Sequence, residues 1–313
     1  MNNYMGEVRN RSQTLLIVEG NHEKNELFWL IFKCFPEINI EMDIDLPFVI
    51  SKKQTPGNLR YKDDFTNIIL VFDYERHDTN FSERKILDMQ NNFSDAADMG
   101  KLYINYPMIE SYQHLRTIPD SDFAERKIPV SLQPGSKYKE LVGKESKIGK
   151  IVEFPYRIDD LMNEHFGITN TEIRQKCCED ILNLSDAQCM EEKLQEVLKN
   201  AITDDRQKTL KYQLKDWIIR VGYANGKQTY WQYVRNLFIE IIYHNICKAN
   251  RIQKGVYEIT LEQYKECFKS INLGTILDEQ NSVSSTDNGF IWVLNTCVFV
   301  VADYNFSLVQ REN

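Results

Sequence analysis

Four acidic positions stand just behind three apolar runs. Glu19 follows Thr14–Val18 (TLLIV), Asp73 and Glu75 follow the run NIILVF that begins at Asn67, and Glu110 lies shortly after KLYINY at 101–106. Runs this rich in branched and aromatic residues read as strands, the first two buried on both faces. In an open parallel sheet, ligands bind in the crevice at the carboxyl ends of the strands. If the three strands are neighbours, the four carboxylates share that crevice. Gathered carboxylates repel one another, and such a group normally holds a hard cation such as Mg²⁺ (or Mn²⁺), which takes oxygen ligands and keeps several waters. The ion polarises a phosphoryl oxygen and helps generate a hydroxide nucleophile. The spacing of Asp73 and Glu75 suits this chemistry, because residues i and i+2 of an extended segment point the same way.

The elements that must hold these acids alternate. After the first strand, NHEKNELFWLIFKCF places Leu27, Leu30, Ile31 and Cys34 at helical spacing, and Pro36 stops it. A weaker strand candidate lies at 46–50, followed by a polar loop. After the second strand a helix starts at Ser82 with Glu83 in its first turn, and after the third a short helix spans MIESYQHL. Strands alternating with helices predict an α/β fold, a parallel sheet flanked by helices. Beyond about residue 125 the pattern changes. Residues 126–155 read as a Lys- and Gly-rich linker or loop, and 156–313 as a mostly helical domain. In that half Thr171 caps IRQKCCEDIL, Ser185 caps a charged helix through Leu198, and Thr260 with Gln263 forms a capping box. Further helices cover 212–221 and 230–247. The apolar run FIWVLNTCVFVVADY reads as either a strand or a buried helix, with helix preferred.

Composition limits the functional classes. The 313 residues are 42% hydrophobic and 27% charged, an ordinary globular balance that excludes disorder, collagen and coiled coil. A net charge of −8 excludes bulk polyanion binding, so nucleic acid must be met through a local basic patch or a metal ion. Seven Cys without a CxxC pair offer neither a disulfide framework nor a zinc motif, which fits a reduced cytoplasmic protein. The polar start MNNYMGEVRNRSQ has no signal-peptide run, and the apolar stretch at 289–302 is too short to span a bilayer.

The acids also resemble a family pattern. Val18-Glu19-Gly20, with Glu23 four places after the first Glu, resembles the first motif of Toprim domains; Phe72-Asp73-Tyr74-Glu75 resembles the second, usually D-x-D. Met108-Ile109-Glu110-Ser111-Tyr112 is similar to the I-E-N-Y element of Toprim nucleases of the overcoming-lysogenisation-defect type. Relatives of that type include effectors of ATPase-coupled bacterial anti-phage systems. The resemblance covers about residues 12–115, and Glu75 stands where Asp is usual, with Asp78 nearby. It implies a Toprim-like domain over 1–125 and a nuclease acting on DNA or on RNA such as tRNA. Glu19 would be a general acid/base or metal-linked acid, Asp73 and Glu75 metal ligands, Glu110 an accessory ligand, and Glu23 a further acid of the metal set. It also implies a partner ATPase, and it leaves room for a homodimer.

Other residues carry weaker signals. His77 beside the acids is a candidate phosphate contact, though a lone His there is usually just exposed. Lys137, Lys139, Lys144 and Lys147 are candidate phosphate-backbone contacts, or a solvated loop. Two other functional classes stay open: a catalytically degenerate Toprim-fold regulatory or scaffold subunit, and a different phosphotransfer enzyme acting on nucleotides.

Overall fold

A computed structural model of the chain describes residues 14–18, 27–38, 67–76, 81–97, 100–132, 136–199 and 201–311. Strand β1 is Thr14–Val18, helix α1 is Trp29–Cys34, β2 is Asn67–Asp73, α2 is Glu83–Asn92, β3 is Ser94–Asp95 and β4 is Gly100–Tyr106. The three apolar runs do become neighbours. β1 pairs parallel with β2, from Thr14↔Asn67 to Val18↔Val71, and β2 pairs parallel with β4, from Ile69↔Lys101 to Asp73↔Asn105. Leu15 to Val18, Ile68 to Val71 and Leu102 to Ile104 are all buried, as strands covered on both faces require. The architecture is α/β.

Local chemistry sets several boundaries. Leu27, Leu30, Ile31 and Cys34 are buried, so the helical spacing before Pro36 faces the core. The Ser82 side chain accepts from Lys85 N–H at 3.4 Å and starts α2. Gly100 opens β4 at φ +121°, where a Cβ would stand 2.6 Å from Leu70 Cδ1, so only glycine fits there without displacing the sheet core.

One further strand of the sheet comes from a chain segment far away. β5 is Lys127–Pro129, β6 is Phe290–Trp292 and β7 is Leu294–Asn295. On the outer edge of β4, β3 pairs antiparallel with the N-terminal end and β7 with the C-terminal end, through Asn105↔Asn295 and Tyr106↔Leu294. β5 and β6 form a separate antiparallel ribbon. The run FIWVLNTCVFVVADY is therefore strand in its first half and the helix Phe299–Tyr304 only in its second. β5 takes up Phe290–Trp292 and the open edge of β4 takes up Leu294–Asn295, and no local periodicity encodes either partner.

The described residues divide into two compact units. One comprises 1–114, 119–144 and 241–313, the other 115–118 and 145–240. Residues 241–313 thus belong with the sheet, whereas the sequence pattern suggests one contiguous helical domain from 156 onward. The stretch expected as linker or loop is helical over Ser136–Glu145 and Gly149–Val152, with Tyr138 and Val142 as buried anchors. Two helix starts also differ. Asn170, not Thr171, caps the helix Thr171–Leu182, accepting from Ile173 N–H at 3.1 Å. The charged helix begins at Met190 rather than near Ser185, because Asp186 turns the chain by accepting from Gln188 N–H. The Thr260–Gln263 capping box forms as expected.

A seam of buried polar groups lies within the sheet-bearing unit. His244, on the helix Tyr230–Lys254, accepts the Asp120 backbone N–H on Nε2 at 3.1 Å, so its proton sits on Nδ1 and points to Tyr257 OH at 2.6 Å. Burial pulls its pKa down to about 4; Asp120 opposes that shift, and Arg311 and Arg126 reinforce it. The folded protein therefore binds fewer protons here than the unfolded chain between about pH 6.5 and 4. The stability tied to neutral His244 is complete above 6.5 and lost as pH falls through 4, about 3 kcal/mol in all. Urea midpoints measured at pH 7 and pH 4.5 should show this slope, and His244→Gln should flatten it.

Candidate functional site

The parallel register puts the carboxyl ends of β1, β2 and β4 at one edge. Asp73 is the last residue of β2, lies opposite Asn105, and is half-buried. Val18, the last residue of β1, pairs with Val71, two positions before Asp73. The extended pairing continues one step further, since Tyr74 N–H donates to Asn105 O at 2.9 Å. Alternation then holds: Tyr74 is wholly buried, while Asp73 and Glu75 on either side of it are half-buried.

Tyr74 is the anchor that sequence reasoning passed over. Its hydroxyl donates to Asn281 Oδ1 at 2.7 Å and lies 3.0 Å from Ser284 Oγ, and its ring packs on Phe81 and Tyr106. Burial raises its pKa, so it stays a neutral donor. Arg76 is tied to the same place. It donates to Ser284 O at 3.1 Å, pairs with Glu83 and lies over the Phe81 ring. That accounts for an arginine directly after D-x-E: it fastens the turn to α2 and to the end of the helix Leu273–Val283.

Glu110 sits in the 3₁₀ turn Ile109–Gln113, which follows the cis Tyr106–Pro107 peptide at the end of β4. All five residues of that turn are buried. Glu110 Oε1 pairs with Lys139 Nζ at 2.8 Å, and Oε2 is buried without a hydrogen-bond partner among the described residues. The structure thus joins to each other two residues that the sequence reading assigns to a metal ion and to a phosphate backbone. Lys144 pairs with Glu140 one helical turn away, and Lys137 and Lys147 are exposed. Glu19, Glu23 and His77 lie outside the described residues.

The Asp73 and Glu75 carboxylates at the end of β2 are oxygen donors of the kind a hard divalent ion takes, and among the described residues Glu110 Oε2 is a buried carboxylate oxygen without a hydrogen-bond partner. Among the described residues, however, no group of three or more His, Cys, Asp or Glu side chains is placed to hold an ion. A complete ligand set would need Glu19 and Glu23 beside Asp73 and Glu75. Among the described residues no helix is long and apolar enough to cross a membrane. Comparisons with protein-family models, with curated proteins and with solved structures found no match to this chain.

Proposed function

We propose that this chain is an Mg²⁺-dependent nuclease with a Toprim-like sheet, the cytoplasmic effector of an anti-phage system governed by a partner ATPase. One observation carries the reading: β1, β2 and β4 run parallel as neighbours, so the strand ends that these acids follow in sequence lie at one sheet edge. The charge balance adds to it, since an acidic chain that acts on a polyanion needs a metal ion or a local basic patch.

In this reading Asp73 and Glu75 hold the ion, with Glu19, Glu23 and Glu110 completing its surroundings. Bound there, Mg²⁺ would lower the pKa of a water and offset charge on the phosphoryl group. The chain's own residues do the rest. Tyr74, locked into the core, keeps Asp73 and Glu75 on one side of the strand end. Glu19 takes the proton from the attacking water. Lys137 and Lys144, exposed on Ser136–Glu145, meet the phosphate backbone.

The test is cleavage of plasmid and tRNA with Mg²⁺, with the partner released, by wild type and by Glu19→Ala. Cleavage by wild type alone supports the reading. Equal cleavage by both, or none by either, overturns it. A second reading is favoured by the Glu110–Lys139 pair, which neutralises without metal a carboxylate assigned to one. In that case the chain is a degenerate regulatory or scaffold subunit, and calorimetry would detect no Mn²⁺ binding.

A further inference from the structure

We infer that Asn105 is a positioning residue for Asp73 and that the Cys297 thiol reinforces the orientation in which it works; this rests on the metal-dependent reading of the sheet edge. Asn105 is wholly buried, the next-to-last residue of β4. Its Nδ2 donates to Asp73 Oδ1 at 2.9 Å, and its Oδ1 accepts from Cys297 Sγ at 2.7 Å. A carboxylate only accepts, and a neutral thiol donates, so one orientation of the amide satisfies both neighbours. Turned over, the amide oxygen would face the Asp73 carboxylate, acceptor against acceptor.

The backbone leaves Asn105 no way to withdraw. It pairs with Asp73 on one side and Asn295 on the other, and its carbonyl accepts from Tyr74 N–H. Cys297 is as firmly held, buried just before the helix Phe299–Tyr304 and two residues after β7. The carboxylate and the thiol therefore favour the same amide orientation, the thiol reinforcing it from the far side, and the amide holds one Asp73 oxygen so that the carboxylate faces one way. Partners of this kind commonly decide how well a ligand carboxylate receives its metal.

The experiment uses the full chain with Cys297→Ala, Cys297→Ser and Asn105→Leu, read by Mn²⁺ titration calorimetry and by the infrared S–H stretch of Cys297. Wild type should show a hydrogen-bonded thiol band, absent in both Cys297 variants and moved to the position of an unbonded thiol in Asn105→Leu. Cys297→Ala and Asn105→Leu should bind Mn²⁺ about tenfold or more weakly. Cys297→Ser should bind like wild type, because the hydroxyl replaces the donor and its shorter Cβ–O bond still leaves it at about 3 Å from Asn105 Oδ1, within hydrogen-bond reach. Equal affinities for Cys297→Ala and Cys297→Ser would overturn the inference, as would an S–H band unmoved by Asn105→Leu. If wild type binds no Mn²⁺, the metal reading fails and the thiol band alone decides whether this orientation exists. Should Asn105→Leu fail to fold, the two Cys297 variants still decide.

Discussion

Asp120→Ala should destabilise the protein by about 3–5 kcal/mol, because removing one partner of a buried ion pair strands the other. Asp120 is 2% exposed and Arg126 7%, with Asp120 Oδ2 accepting from Arg126 Nη1 at 2.6 Å. Arginine cannot escape by losing its proton. Among the described residues its remaining support is one bond from Nη1 to His114 O at 2.7 Å and the nearby Phe123 ring, and Nη2 is already buried without a partner there. Asp120 has a second task, since its Oδ1 accepts from Asp122 N–H and starts the 3₁₀ turn Ser121–Glu125. The variant would lose that cap as well. A fall in the urea midpoint at constant m-value is the expected result. A surface control, Asp204→Ala, breaks the exposed pair with Arg206 and should leave the midpoint in place. If the two variants shift alike, the Asp120–Arg126 pair does not support the fold as argued.

The sequence shows the sheet's parallel strands and hides its antiparallel ones. β1 and β2 are legible because a parallel strand covered on both faces must be apolar throughout, and TLLIV and NIILVF are. β7 is two residues long and exists only because Asn295 and Leu294 meet β4 across about 190 positions of chain, a pairing that leaves no local period. The same holds for the site. Asp73 is legible as the acid at a strand end, and Glu75 by alternation. Asn105, Cys297 and Lys139 are not, since each reaches the acids through a tertiary contact and none belongs to a motif. Lys139 misleads for a physical reason: a lysine in a Lys- and Gly-rich stretch reads as solvated until a helix carries it to a buried carboxylate. Helix starts fail where two capping residues adjoin, as Asn170 and Thr171 do.

Asp73→Asn should abolish the proposed cleavage and leave the fold intact. Asparagine keeps the shape and the oxygen that accepts from Asn105 Nδ2 at 2.9 Å, so β2 and β4 remain joined. What goes is the negative charge, and with it the attraction for a divalent ion. A roughly thousandfold fall in the cleavage rate is expected, equivalent to about 4 kcal/mol of transition-state stabilisation. Chelation of the metal from wild type should give the same loss, and excess Mn²⁺ should recover the wild type far better than the variant. Arg76→Ala separates this from a general disturbance of the strand end. Arg76 binds Ser284 O, Glu83 and the Phe81 ring, so its removal should lower the unfolding midpoint and spare the metal dependence. If Asp73→Asn cleaves like wild type, the carboxylate at the end of β2 is no metal ligand. The parallel edge would then be a scaffold that happens to carry acids.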